Sequence, residues 1–202
     1  MATRALPPSS IVAKEVVGVR LRTLRKQKDF TLKRLSEVSG VPLSTLSKIE
    51  LGQAPLSYDK FMAISQALGV EMSQLLRSDL SPDMVAEFTG TATQSTLDDH
   101  DEYNTENYAH KFLFSDVQGK TMIPIVATLK STDVADFGDF IRHSGQEFAV
   151  VIKGSVKIVF ENGTVLTLKK NDTAYFDSSV GHVYLNAGKT PAQVLAVCTH
   201  RP

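Results

Sequence analysis

The spacing of apolar residues changes once along this chain, and that change limits the folds that the chain can adopt. In the amino-terminal third, apolar residues recur every three or four positions, as in Val17, Leu21 and Leu24, which places each set on one face of a helix. In the carboxyl-terminal half, the apolar runs are short and are separated by turn residues such as Glu161-Asn162-Gly163, which favours strands. We therefore predict a helical domain followed by a sheet domain.

The expected fold class is a multidomain α+β protein, with an all-α five-helix domain followed by an all-β barrel. The helical domain is predicted to span residues 14–78, after a disordered arm over residues 1–13. Residues 79–106 are polar and rich in Thr, Asp and Glu, and are expected to be a linker and lead-in. Residues 107–202 contain eight runs that are typical of strands without intervening helices, which indicates an antiparallel sandwich or barrel.

The charges are distributed unevenly, although the formal net charge is zero. Residues 14–78 carry 11 Lys and Arg against 6 Asp and Glu, whereas residues 79–202 carry 10 against 16. A basic domain joined to an acidic remainder predicts that the first domain binds a polyanion.

Two features of the composition restrict the class of protein. No uninterrupted apolar run is longer than five residues, which excludes transmembrane helices. The only cysteine, Cys198, cannot form an internal disulfide and fits a reducing compartment. We expect a cytoplasmic protein that does not bind a membrane.

Two short helical stretches in the basic domain, 31–39 and 43–51, are separated by a tight turn. So brief a turn makes the second helix cross the first and project outward. With Leu46 and Ile49 turned inward, its outer face carries small hydroxyls and a lysine, which suit the major groove of DNA. Arg25 and other basic residues of the first helices are expected to contact the DNA backbone. The predicted DNA-binding residues are Arg22, Lys33, Ser44, Thr45, Ser47, Lys48 and Gln53.

These segments resemble the phage-repressor-type (XRE) helix-turn-helix domain. The resemblance rests on residues 31–41 (TLKRLSEVSGV), 46–52 (LSKIELG) and 61–70 (FMAISQALGV). It departs from the family at Pro42, where many members have a Ser or Thr cap, and it leaves Glu50 as an expected partner within the domain. The resemblance implies a transcription regulator that binds a double-stranded DNA operator as a homodimer, because one such motif covers only a half-site.

In the barrel, His143 and Glu147 are separated by three residues, and His182 lies on a later strand. Two imidazoles and one carboxylate are a competent set for a divalent metal such as Fe, Zn or Ni, with positions left for water or a ligand. From the residues alone, an alternative remains open: these groups could instead hydrogen-bond an organic ligand or one another inside the barrel.

The stretches 143–154 and 171–186 resemble the two motifs of the cupin barrel. Cupins that bind metal usually have four ligands, and this chain has Ile141 where the first of them would stand. The metal ligands that the resemblance implies are His143, Glu147 and His182.

Strand alternation indicates what else faces the interior of the barrel. If His182 points inward, Tyr184 and Asn186 lie on the same side of the strand. With Ile141, these residues are expected to line a mostly apolar cavity that binds a small-molecule effector. Cys198 is expected to be only a buried strand residue.

The residues and resemblances together predict a sequence-specific transcription regulator that is not an enzyme. Its cupin domain would bind a small effector and so change the placement of two DNA-binding domains in a homodimer. The alternative is a mononuclear non-heme iron oxygenase that resembles the hydroxypropylphosphonate epoxidases, with Fe(II) on the two His and one Glu. We favour the regulator because the first helix is basic and the barrel offers few cations for a phosphonate. A cupin that serves only for dimerisation is a third interpretation.

Overall fold

The computed structural model describes residues 11–76, 92–97, 102–115, 117 and 119–199. Within these residues the amino-terminal part contains five helices, as predicted, and none of them has the length and apolar character that crossing a membrane requires. The helices are α1 (Lys14–Gln27), α2 (Leu32–Ser39), α3 (Leu43–Glu50), α4 (Tyr58–Leu68) and α5 (Met72–Leu76).

Local sequence sets the turn between α2 and α3. The Thr31 side chain caps α2 by accepting a hydrogen bond from the Arg34 backbone N–H, which satisfies one of the free donors at the helix start. The helix ends at Gly40, whose φ of 71° lies in the left-handed region that favours glycine. Pro42 then precedes α3 without a side-chain cap. The chain therefore reverses direction within a few residues, and α3 crosses α2.

The core of the helical bundle is apolar, with Leu21, Leu35 and Leu46 fully buried. Helix α1 approaches α3 closely at Gly18, where an added Cβ would lie 2.2 Å from the Ile49 carbonyl oxygen. Only glycine permits this approach, so Gly18 determines how α1 supports α3.

The rest of the described chain forms two sheets that make up the barrel. The larger sheet has the strand order β1-β2-β3-β4-β10-β5-β8, and the smaller has the order β7-β6-β9. All pairings are antiparallel except that of β1 with β2. The strands are β1 (Ile11–Val12), β2 (Glu102–Asn104), β3 (Tyr108–Phe112), β4 (Met122–Leu129), β5 (Gln146–Lys153), β6 (Ser155–Phe160), β7 (Val165–Lys169), β8 (Thr173–Asp177), β9 (His182–Asn186) and β10 (Ala192–Thr199).

Two strands lie in segments that we expected to be irregular. Strand β1 falls in the expected arm and pairs in parallel with β2, which falls in the expected linker. Tyr103 of β2 is fully buried, and its hydroxyl accepts a hydrogen bond of 2.6 Å from the Leu56 backbone N–H. This contact joins the lead-in to the helical bundle, which explains why a polar stretch becomes ordered there. Residues 1–10, 77–91 and 98–101 lie outside the described residues.

The helices and the larger sheet share an apolar core. One buried cluster continues from the helices into Tyr103, Phe112, Ile125 and Cys198, while a second cluster fills the interior of the barrel. The helical bundle therefore packs directly on the sheet and positions α4 against the barrel.

Candidate functional site

The outer face of α3 is open to solvent. Ser44 and Lys48 are exposed, and Thr45 and Ser47 are half-buried, while Leu46 and Ile49 face the core. The remaining residues predicted to bind DNA are also exposed, namely Arg22, Lys33 and Gln53. The seven residues lie on α1, α2, α3 and the turn after α3, and all of them are at least partly exposed.

Arg25 does not belong to this surface. Its guanidinium donates to both carboxylate oxygens of Glu50, at 2.5 and 2.8 Å, and to the Phe30 carbonyl oxygen at 2.7 Å. Both side chains are buried, and the hydrogen bond to Glu50 raises the pKa of Arg25. The expectation that Arg25 contacts DNA is wrong, because Arg25 is used to join α1 to α3. The expectation that Glu50 is a partner within the domain is confirmed.

The three residues that we predicted to bind metal lie together inside the barrel. Glu147 extends from β5, His182 begins β9, and His143 belongs to the loop before β5. The Glu147 Oε2 atom lies 3.2 Å from the His143 Nε2 atom and 3.6 Å from the His182 Nε2 atom. All three residues are buried, so they could act on a metal or ligand without competition from bulk water.

Each imidazole is oriented by a backbone carbonyl. The His182 Nδ1 atom lies 2.9 Å from the Val180 carbonyl oxygen, and the His143 Nδ1 atom lies 3.4 Å from the Ser144 carbonyl oxygen. A carbonyl can only accept, so each Nδ1 atom carries the hydrogen and Nε2 is directed at the carboxylate. Metal-binding histidines are commonly held in this way.

Glu147 is charged despite its burial. Burial raises the pKa of Glu147, but hydrogen bonds with His143 and His182 outweigh this effect and hold the pKa below its usual range. The Tyr184 hydroxyl donates a hydrogen bond of 2.5 Å to the other carboxylate oxygen. Burial, followed by the neighbouring Glu147 charge, raises the pKa of Tyr184 well above its usual value. The site therefore concentrates one negative charge in an apolar interior.

Cys198 belongs to the same cluster, which the sequence did not indicate. It lies directly opposite Glu147 in the pairing of β10 with β5, and its Sγ atom is 3.5 Å from the Glu147 Oε2 atom. The ligand atoms of His143, Glu147 and Cys198 all lie within 4.8 Å of one another. Burial raises the pKa of the Cys198 thiol well above its usual value. A thiol is therefore a third type of donor at this site.

Tyr58 reaches the cluster from the helical domain. It is the first residue of α4, and its ring packs edge-on against the His143 ring with centroids 4.9 Å apart. Its buried hydroxyl lies beside the Cys198 thiol but makes no hydrogen bond of ordinary geometry with any described residue. No local pattern in the sequence indicates this contact, because it depends on how the two domains pack.

Tyr58 lines two neighbouring spaces. The inner cavity, of about 50 Å³, contains the cluster and is lined by Ile141 and Tyr184, two of the three residues predicted to bind an effector. Asn186, the third, does not line it, and its side chain accepts a hydrogen bond from the Gly188 backbone N–H. The outer cleft, of about 510 Å³, lies between the start of α4 and residues 137–142. The cleft has the size of a metabolite site, whereas the inner cavity has room only for an ion or a few waters.

Comparison with known proteins identifies both domains. Residues 21–75 match the Helix-turn-helix family, and residues 135–198 match the Cupin domain family. The chain therefore contains a helix-turn-helix domain followed by a cupin domain. This confirms the resemblances drawn from the sequence, and it agrees with the five helices and the barrel of the helix-turn-helix cupin protein described above.

Three proteins resemble this helix-turn-helix cupin protein over most of its length. HTH-type transcriptional regulator PuuR of Escherichia coli (strain K12) is 21% identical over 182 residues, 90% of this chain and 94% of that protein. The crystal structure of an HTH_3 family transcriptional regulator from Vibrio cholerae has 20% identity and a TM-score of 0.62, covering 94% of this chain and 98% of that one, which shows a common fold. The crystal structure of FeII HppE has 19% identity and a TM-score of 0.49, over 92% and 99% of the two chains, and this looser similarity carries no argument about function.

Proposed function

We propose that this helix-turn-helix cupin protein is a sequence-specific transcription regulator that inserts α3 into the major groove of an operator. The observation that carries the proposal is the open outer face of α3, with Ser44 and Lys48 exposed. The Arg25–Glu50 pair and the close approach at Gly18 fix α3 against α1, so the outer face of α3 keeps one orientation. The basic character of residues 14–78 supplies the phosphate contacts that set its register.

We propose that the regulator acts as a homodimer formed through the barrel. One helix-turn-helix motif reads a half-site, and two half-sites about 34 Å apart require a paired protein. Phe148 and Tyr175 lie opposite each other on strands β5 and β8, and they are 39% and 66% exposed. Aromatic residues exposed side by side on a sheet are typical of a contact between subunits.

We also propose that the cupin domain binds a divalent metal in the inner cavity and a small effector in the outer cleft. The two imidazoles and the carboxylate of the cluster supply the metal donors, and the cleft has the volume that a metabolite needs. Because Tyr58 belongs to the helical domain and lines both spaces, a ligand in either space would alter the packing of α4. A ligand that prefers one packing then shifts the DNA-binding domains.

The oxygenase alternative makes different demands on the same cluster. Oxygen and a substrate would both have to reach the metal, but the inner cavity measures only about 50 Å³ and its described lining contains no Lys or Arg to bind a phosphonate. The regulator interpretation needs no such space. We therefore propose regulation and not catalysis.

Operator selection followed by a salt titration tests the proposal. The full-length protein is incubated with random duplexes, enriched sequences are recovered, and their affinity is measured by fluorescence anisotropy over a range of salt concentrations. Contacts with several phosphates should give a steep fall of affinity with salt and a preference for one sequence. The DNA proposal is wrong if no sequence is enriched and affinity does not depend on salt. Substrate-dependent oxygen consumption with Fe(II) would instead favour the oxygenase.

A further inference from the structure

Three buried side chains of the barrel surround one carboxylate oxygen of a fourth, Glu147. The Glu147 Oε2 atom lies 3.2 Å from the His143 Nε2 atom, 3.6 Å from the His182 Nε2 atom and 3.5 Å from the Cys198 Sγ atom. All four side chains are more than nine-tenths buried. The cluster thus holds two imidazoles, a carboxylate and a thiol away from water.

The atoms of this cluster that can bind a cation point at one another. Both Nδ1 atoms face backbone carbonyls, so the Nε2 atoms of the two imidazoles are the ones that point at the Glu147 carboxylate. A cation between these atoms would contact both nitrogens and the carboxylate oxygen. The buried Tyr58 hydroxyl, which has no hydrogen-bond partner of ordinary geometry in the described chain, also faces this group.

The three separations from the Glu147 Oε2 atom match those between the ligands of one metal ion. For Zn²⁺ with bonds of about 2.0–2.1 Å to nitrogen and oxygen and about 2.3 Å to sulfur, tetrahedral ligand atoms lie about 3.3 Å apart for N and O and about 3.5 Å apart for S and O. The measured distances from the Glu147 Oε2 atom, 3.2, 3.6 and 3.5 Å, fall within a few tenths of these values. The residue that stands at the usual first ligand position, Ile141, has no donor and lines the cavity instead.

We infer that Cys198 is a metal ligand and completes a four-ligand site with His143, Glu147 and His182. The inference rests on the proposed metal binding of the cupin domain but not on DNA binding. A thiolate is a soft donor that favours Zn²⁺, and four protein ligands leave no open position for a substrate. The site therefore serves to hold a metal that sets the structure of the barrel, not to activate oxygen.

Cobalt spectroscopy on the full-length protein tests this inference. The metal is removed with a chelator, the protein is transferred to thiol-free buffer, and Co²⁺ is added as a spectroscopic probe for Zn²⁺. We expect a thiolate-to-cobalt charge-transfer band in the near ultraviolet and the intense visible bands of a tetrahedral site. Because the chain has one cysteine, such a band in the natural protein is assigned to Cys198 without any variant.

Two variants and a competition experiment complete the test. Cys198→Ser should remove the charge-transfer band and weaken Zn²⁺ binding by at least about 100-fold, the upper end of what loss of a supporting contact costs. Thr167→Ser, at an exposed position of β7, should change neither. Cobalt binding without a thiolate band in the natural protein overturns the role of Cys198 but leaves metal binding in place. If neither Co²⁺ nor Zn²⁺ binds, the inference and the proposed metal site both fail, while the DNA titration still decides the regulator proposal.

Discussion

At the scale of single residues, the guanidinium of Arg25 and the carboxylate of Glu50 form a two-point contact that joins α1 to α3. Both side chains are less than one-tenth exposed. If Glu50→Ala removes one partner, the Arg25 charge stays buried without compensation, and the free energy of unfolding should fall by about 3 kcal/mol. Urea denaturation followed by circular dichroism measures this loss.

The Lys33–Glu37 pair provides the control for that measurement. Its atoms are 4.0 Å apart, and the two side chains are 83% and 60% exposed. Glu37→Ala should leave the unfolding midpoint nearly unchanged, because exposed pairs on a helix contribute little. Equal effects of the two substitutions would show that the Arg25–Glu50 pair does not hold α3.

His110 makes the stability of the protein depend on pH. Burial, followed by the positive charge of Lys130, lowers the pKa of His110 to about 4 in the folded protein, from an ordinary value of 6.5. The unfolded chain therefore binds a proton that the folded chain rejects between these values, so stability is complete above pH 6.5 and falls as the pH drops toward 4. At pH 5 we expect a loss of about 2 kcal/mol relative to pH 7.

The variant His110→Phe isolates this contribution. Its ring keeps the contacts with Tyr108 and Phe112 but cannot take up a proton. Denaturant midpoints at pH 7 and pH 5 should therefore differ less in the variant than in the natural protein. An unchanged pH dependence would assign the effect to groups other than His110.

At the scale of elements, the sequence predicts the strands better than it predicts their register. The runs 122–129, 155–160 and 182–186, which the sequence predicts as strands, have the same bounds as β4, β6 and β9. The position of Cys198 opposite Glu147 depends on a register shift in β10 between Gln193 and Val194. No feature of the sequence predicts this shift. The motif spacing predicted His143, Glu147 and His182, but the fourth side chain of the cluster comes from a strand that carries no motif.

Gly18 sets the distance between α1 and α3. In Gly18→Ala, the new Cβ would lie 2.2 Å from the Ile49 carbonyl oxygen, so α3 must shift although alanine is the better helix former by about 1 kcal/mol. We expect a lower unfolding midpoint and weaker DNA binding. Gly138→Ala is the matched control, since an added Cβ there meets nothing within 4 Å. A stabilised Gly18→Ala protein with normal DNA binding would contradict the close contact.

Lys48 tests which face of α3 contacts DNA. It is exposed on the outer face of the helix, so Lys48→Ala should weaken operator binding by about 1–3 kcal/mol if Lys48 reads a base, or reduce the salt slope by about one unit if it contacts a phosphate. Lys157→Ala, an equally exposed lysine on the barrel, is the control. Fluorescence anisotropy at several salt concentrations separates the two results, and identical behaviour of both variants would show that Lys48 does not contact DNA.

At the scale of the whole molecule, the helices and the larger sheet share one apolar core, so a shift of one domain changes the packing of the other. Sequence patterns describe each domain separately, so they could not predict that α4 packs on the barrel or that Tyr58 lines its cavity. Burial raises the pKa of the Tyr58 hydroxyl well above its usual value, with further contributions from Cys198 and Glu147. Tyr58 is therefore an uncharged side chain of α4 that packs against His143 of the barrel.

This arrangement predicts that metal and operator DNA influence each other through Tyr58. In the natural protein, Zn²⁺ should change operator affinity, and operator DNA should change Zn²⁺ affinity by the same factor, since coupling between two binding sites is reciprocal. For coupling of about 2 kcal/mol the factor is roughly 30. Tyr58→Ala removes the ring through which α4 contacts His143, so the coupling factor should fall toward one. Tyr58→Phe keeps the ring and should retain most of the coupling between metal and DNA. Titrations of each ligand with and without the other measure the factor, and a Tyr58→Ala protein with the full factor would show that the domains communicate by another route.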